Sequence, residues 1–282
     1  MALRIRRGLP KKAAEPGEGS AVLEAASGLV ELVLLGISVV IGVRLVRLAP
    51  AGERGPELWL GLYFIIYSAL ATGLSVGTYV GWSSARITLP DAAVRWMNGG
   101  FFAASTFGLS CLLLFTQRTF RPESRAAATG IGVTVGIMVS MTIWTGFSEG
   151  FAIRLLPGPA YWIHWIARLS AWIWVGAESL GYWSKQRRRL ALGLADPVVT
   201  NRFLLWAVWA ALTTALAFAD PLARLWYFRL SGSTTQWVVE VGRPIIQVVV
   251  PLTCGLNAGA VALLFLTFFP TRSYKRWLAA RA

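Results

Sequence analysis

Long apolar runs separated by short basic or Pro/Gly-rich breaks dominate the chain. A helix rises about 1.5 Å per residue, so crossing a ~30 Å hydrocarbon core takes about 20 apolar residues. Seven stretches reach that length: Ser27–Leu48, Glu57–Val80, Arg95–Gln117, Arg125–Phe147, Ala160–Ser184, Arg202–Asp220 and Trp237–Phe269. The last is long enough that its ends run into an interface or tilt. The pattern predicts an all-α polytopic membrane protein whose seven-helix domain covers 27–269. A mobile basic tail over 1–26 and a basic tail over 270–282 flank it. Residues 1–20 carry no apolar core segment or cleavage pattern, so they are expected to be a tail and not a signal peptide. No other stretch is long enough to fold as a separate domain outside the bilayer.

Composition agrees and removes alternatives. The 56% hydrophobic and 14% charged residues stand against roughly 45–50% and about 25% in soluble domains. That excludes a disordered chain. Cys111 and Cys254, the only cysteines, both sit in apolar runs, which excludes a disulfide-stapled module. A net charge of +14 on a soluble protein would raise nucleic acid as a partner. On a membrane chain it reflects loop bias and attraction to lipid headgroups, so lipids and not nucleic acid are expected.

The cations are unevenly placed. Fifteen Lys/Arg fall on one set of connections: Arg44 to Arg54, Arg118 to Arg125, Lys185 to Arg202, and Arg272 to Arg281. Five fall on the opposite loops: Arg86, Arg95, Arg154, Arg224 and Arg229. The excess places the N-terminus outside and the C-terminus in the cytoplasm. Four of the 27 cations are lysines, and that arginine bias with heavy Ala, Gly and Leu usage points to a GC-rich bacterial genome, so the expected location is a bacterial inner membrane.

An internal match at an offset of 142 residues aligns Arg47-Leu48-Ala49 with Arg189-Leu190-Ala191, and Tyr67–Leu74 with Trp209–Leu216. It predicts parallel repeats of spans 1–3 and 5–7 joined by an inverting fourth span. Such a 3+1+3 plan resembles SWEET-type sugar transporters and microbial rhodopsins in architecture. The opsin resemblance would imply a retinal-linking lysine in the seventh span. Residues 238–269 contain none, and Lys275 lies beyond Pro270, so retinal is not expected. No other cofactor is predicted.

Ionisable groups inside spans cost about 2.5–3.5 kcal/mol each and mark function or helix contacts. Glu178 is expected deep in the fifth span, either as a proton or cation site or as a carboxyl joining helices. His164 and Arg168, four apart, share a helical face. With Glu149, Glu240, Arg243, Gln247 and Glu31 they are expected to form an outer polar layer. Trp144, Trp162, Trp165 and Trp172 would be its walls, lining a water-filled cavity or merely anchoring the interface. Pro244 and Pro251, followed by Thr253, Asn257 and Gly255/Gly259, predict an interrupted seventh span. Arg118–Arg125 and Arg187–Arg202 are candidate docking segments for a cytoplasmic partner. Asp196-Pro197 predicts a helix start.

With one histidine and no phosphate-binding, His-Glu-x-x-His, Cys-x-x-Cys or Gly-x-Ser-x-Gly motif, no metal site or enzyme is expected. Three functions remain: a small-molecule or ion transporter or channel with a buried acid, a receptor-like sensor working through a partner, or a non-catalytic subunit. The transporter leads, because transport uses costly buried charges directly. Homo-oligomers or other membrane subunits are the remaining expected partners.

Overall fold

A computed structural model describes residues 18–49, 55–83, 89–152, 157–231 and 239–279. Its elements are α1 (Glu18–Leu48), α2 (Pro56–Tyr63), π1 (Phe64–Ala71), α3 (Thr72–Ser83), α4 (Asp91–Phe120), α5 (Arg125–Glu149), α6 (Pro159–Ala191), α7 (Pro197–Ser231), α8 (Val239–Phe268) and α9 (Arg272–Ala279). Among the described residues there is no strand. α2, π1 and α3 form one continuous rod, with right-handed helical backbone at both junctions.

Five helical stretches are long and apolar enough to cross a membrane: Gly28–Leu48, Pro56–Thr78, Asp91–Phe120, Arg125–Glu149 and Pro197–Ala223. Leu252–Phe268 with Arg272–Leu278 makes a sixth if that pair, bent by 82°, is one span. α6 does not qualify by apolarity, since it carries His164, Arg168 and Glu178 and ends in Arg188 and Arg189. The outer faces are those of a membrane-embedded bundle: Trp96, Val133, Trp144 and Phe147 are all exposed, and lipid solvates such a surface where water does not.

Local chemistry explains most boundaries. Asp196 Oδ1 accepts from Val198 N (2.6 Å) and Val199 N (3.1 Å), so Asp196-Pro197 starts α7 as expected. Ser124 caps α5 through Ala127 N at 3.2 Å. α5 ends at Gly150 (φ 56°), and Phe151 beside it also has φ 56°. A left-handed phenylalanine is strained; its carbonyl accepts from Asn98 Nδ2 at 2.9 Å and its ring lies 6.0 Å from that of Phe102.

Three boundaries differ from expectation. Residues 18–26, expected in a mobile tail, open α1, because Ala, Leu and Glu there are strong helix formers; residues 1–17 lie outside the described set. α6 passes Ser184 and runs to Ala191, so Arg187–Arg189 belong to a helix. Cations in a last turn are favoured by the helix dipole. α8 is continuous through Pro244 and Pro251, and the sharp bend falls at Pro270 instead.

Packing closes a ring. α1 lies between α2/π1 and α8, the α2–π1–α3 rod packs on α4, α4 on α6, α6 on α7, and α7 on α8. α5 stays outside, seated on the seam of α4 and α6. It buries only Ile131, Met138 and Thr145, a narrow stripe recurring every seven residues. Backbone meets backbone at the facing Gly42/Gly61 pair and at Gly108. A Cβ on Gly42 would stand 2.9 Å from the Gly61 carbonyl oxygen, and one on Gly108 would stand 2.8 Å from Tyr67 N. The core within the ring is aromatic: Tyr63 and Phe64 meet Trp209, Phe64 meets Phe268, and Tyr67 meets Trp172.

Candidate functional site

The end of α2 and π1 put two tyrosines, Tyr63 and Tyr67, on the inner face of the ring. Tyr63 and Tyr67 stack with centroids 5.4 Å apart and planes 7° apart. A π-helical segment inside an α-helix frequently marks a working site. Opposite it, α6 presents Arg168 and Trp172, also four residues apart. Arg168 Nη2 donates to Tyr67 Oη at 3.1 Å, and Trp172 Nε1 donates to Tyr63 Oη at 3.4 Å. Gly108 of α4 lets Tyr67 approach closely enough for this pairing.

Arg168 sits about 13 Å along α6 from Pro159 and is only 9% exposed. Its guanidinium carbon lies 4.9 Å from the Phe101 ring centroid, 5.9 Å from Trp172 and 6.0 Å from Tyr67. Its buried Nε has no hydrogen-bond partner. Among the described residues the ion pairs are Arg95–Asp91 and Arg121–Glu178, so no carboxylate neutralises Arg168. Burying an ion costs several kcal/mol. Ring faces return roughly 0.5–2 kcal/mol each, and one hydrogen bond to a charged group about 1.5–3 kcal/mol. The guanidinium is left with an unused donor edge and an unbalanced charge.

One turn nearer the N-terminus of α6, His164 is 1% exposed and joins three helices. Its Nε2 is 3.0 Å from Thr106 Oγ1, which is 3.1 Å from Thr142 Oγ1. Thr142 donates its only hydroxyl proton to the Met138 carbonyl at 2.8 Å. Thr106 therefore donates to Thr142 and accepts from His164, which fixes the proton on Nε2.

The other expected site residues disperse. Glu149 ends α5 beside Gly158, and Glu31 of α1 accepts from Asn257 Nδ2 of α8. Trp144 is exposed and Trp165 donates to the Ala217 carbonyl at 2.9 Å. Among the described residues these groups do not gather into the one outer cavity expected of them. Helical phase sends them to different seams. The side chains of Glu240, Arg243 and Gln247 lie outside the described residues.

Glu178, expected as a buried acid, is paired and partly exposed. It stands level with the C-terminal end of α4, where Arg121 Nε donates to its Oε1 at 3.0 Å and Trp174 Nε1 does so at 3.2 Å. Its side chain is 19% exposed, and α6 continues for three more turns beyond it. A cleft of about 390 Å³ opens there, lined by α4, α5 and α6 residues including Leu113, Arg121, Ala127, Gly130, Ser170 and Glu178.

No family model matches the chain, and no curated protein or solved structure is similar to it.

Sequence reasoning found His164 and Arg168 but missed Tyr67, Phe101, Thr106 and Thr142. Hydroxyls and rings in apolar helices carry no distinguishing pattern. The one available signal was an arginine in a span with no acid at helical spacing.

Proposed function

We propose that this protein is an integral membrane transporter that takes a small monocarboxylate at Arg168. The observation that carries the reading is the buried guanidinium with no carboxylate partner among the described residues and an unpaired Nε–H. Charged groups within spans line substrate paths. The Nε–H and neighbouring Nη–H form a fork that a carboxylate matches bidentately. Phe101, Trp172 and Tyr67 suit the organic remainder of such an anion, because ligand sites are mostly apolar with a few placed polar groups.

The reading keeps seven spans, with α6 embedded in spite of its polarity because its charged groups face the ring and the basic end. It keeps the basic end in the cytoplasm of a bacterial inner membrane. It also keeps the parallel repeats: α1, the α2–π1–α3 rod and α4 pack in the same order as α6, α7 and α8. Glu178 changes role, from a mid-membrane acid to half of an ion pair at the cytoplasmic end.

The test is uptake of radiolabelled short monocarboxylates into proteoliposomes. Arg168→Gln removes the charge and is expected to abolish saturable uptake. Arg168→Lys keeps the charge without the fork and is expected to raise KM while leaving measurable flux. Wild-type flux in Arg168→Gln overturns the assignment.

A further inference from the structure

The cleft between α4, α5 and α6 plays no part in that reading, and its mouth is chemically unusual. Arg121 and Glu178 face each other across it, yet neither is saturated. Both bonds to Glu178, from Arg121 Nε and Trp174 Nε1, end on Oε1, which leaves Oε2 open. Arg121 is 59% exposed in its side chain and uses only Nε, which leaves both Nη groups free. The mouth thus offers hydrogen-bond donors carrying positive charge beside an acceptor carrying negative charge. It is complementary to a zwitterion whose phosphate and ammonium are a few ångströms apart.

The other walls change character. Leu113 and Ile131 are buried and apolar, Ala127 and Gly130 are small, Thr134 adds a hydroxyl, and the Ser170 hydroxyl donates to the Ala167 carbonyl at 2.7 Å. A Cβ on Gly130 would meet nothing within 4 Å, so the slot is open along α5. Gly130 is exposed, and α5 packs only on α4 and α6, so the slot opens on the bundle's perimeter, where acyl chains are. Its volume of about 390 Å³ falls in the range of small-molecule sites.

We propose that this cleft binds one ethanolamine phospholipid of the leaflet at the basic end. The phosphate is held by the free Nη groups of Arg121, the ammonium donates to Glu178 Oε2, and an acyl chain lies in the slot past Gly130. A choline headgroup has no N–H to give Glu178. A glycerol headgroup offers neutral hydroxyls and no ammonium, so it leaves the negative charge of Glu178 uncompensated. The site therefore selects ethanolamine against the bulk attraction of a basic surface for anionic lipid.

Native mass spectrometry of delipidated full-length protein, titrated with ethanolamine, choline and glycerol phospholipids of identical chains, tests this. Wild type is expected to retain one ethanolamine lipid about tenfold more strongly than the others, the worth of one charged hydrogen bond. Glu178→Gln is expected to erase the preference over choline. Gly130→Leu, at a position with room for the side chain, is expected to lower retention of all three lipids. Circular dichroism and elution volume verify that both variants fold. Equal retention of the three lipids by wild type, or unchanged ethanolamine-lipid retention in both variants, overturns the proposal. Free glycerophosphoethanolamine binding as tightly as the lipid overturns the lipid as occupant. Arg168→Gln is expected to keep the lipid, so failure here and failure of the transport reading are separable.

Discussion

Arg168 sets the energetics at the scale of single residues. On the proposed reading, a buried guanidinium with an orphan Nε is stability surrendered for binding, a trade common at functional sites. Replacing a buried unpaired charge by an apolar side chain of similar volume removes a desolvation cost of several kcal/mol. The double variant Arg168→Met/Tyr67→Phe, which removes the charge and the hydroxyl it would orphan, is expected to unfold at higher temperature than wild type. Carboxylate should stabilise wild type in a thermal melt and leave the double variant unmoved. Thr106 carries the opposite expectation. Thr106→Val breaks the relay from His164 to Thr142 and leaves a buried imidazole donor unpaired, at a cost of about 1–3 kcal/mol. A melt of that variant at unchanged temperature would show that the relay contributes nothing.

Among the elements, π1 and α4 are coupled through a glycine. The hypothetical Cβ of Gly108 falls 2.8 Å from Tyr67 N and 3.0 Å from Tyr67 Cα, and backbone cannot rotate aside. Gly108→Ala is therefore expected to push π1 from α4, costing about 1–3 kcal/mol as overpacking. It should also weaken carboxylate binding, because Tyr67 carries the hydrogen bond to Arg168. Gly132→Ala on α5 is the control, since its Cβ meets nothing within 4 Å; it should leave melting and binding alone. Equal effects from the two alanines would break the link between π1 and the site.

For the whole molecule, the proposed orientation rests on the gathering of cations at one end of the ring. After Cys111 and Cys254 are replaced, a cysteine at Arg188, exposed near the end of α6, is expected to react with a membrane-impermeant maleimide only in inside-out vesicles. One at Arg95, exposed near the start of α4, is expected to react only in right-side-out vesicles. Labelling both in the same vesicles would reverse one end of the assignment. The transport reading also needs the ring to open and close, and Arg121–Glu178 stands where such a change would be felt.

The membrane class and the apolar helices were legible because they depend on counts and lengths, which need no partner: a run of about 20 apolar residues is costly in water whatever it packs against. The start of α7 at Asp196-Pro197 was legible too, since a cap bonds its own next residues. Depth and company were not legible. Glu178 reads as buried until Arg121, 57 residues away, is seen to meet it at the end of α4. The full length of α6 was hidden because Lys185–Arg189 looks like a loop, although cations are welcome in a last helical turn. His164 and Arg168 share a face in any α-helix, but only packing sends one to a threonine relay and the other to π1. Residue type and spacing thus determined what must be buried in the bilayer. The tertiary structure decided which polar groups meet and which stay unsatisfied, because hydrogen bonds and ion pairs act over a few ångströms between helices distant in the chain.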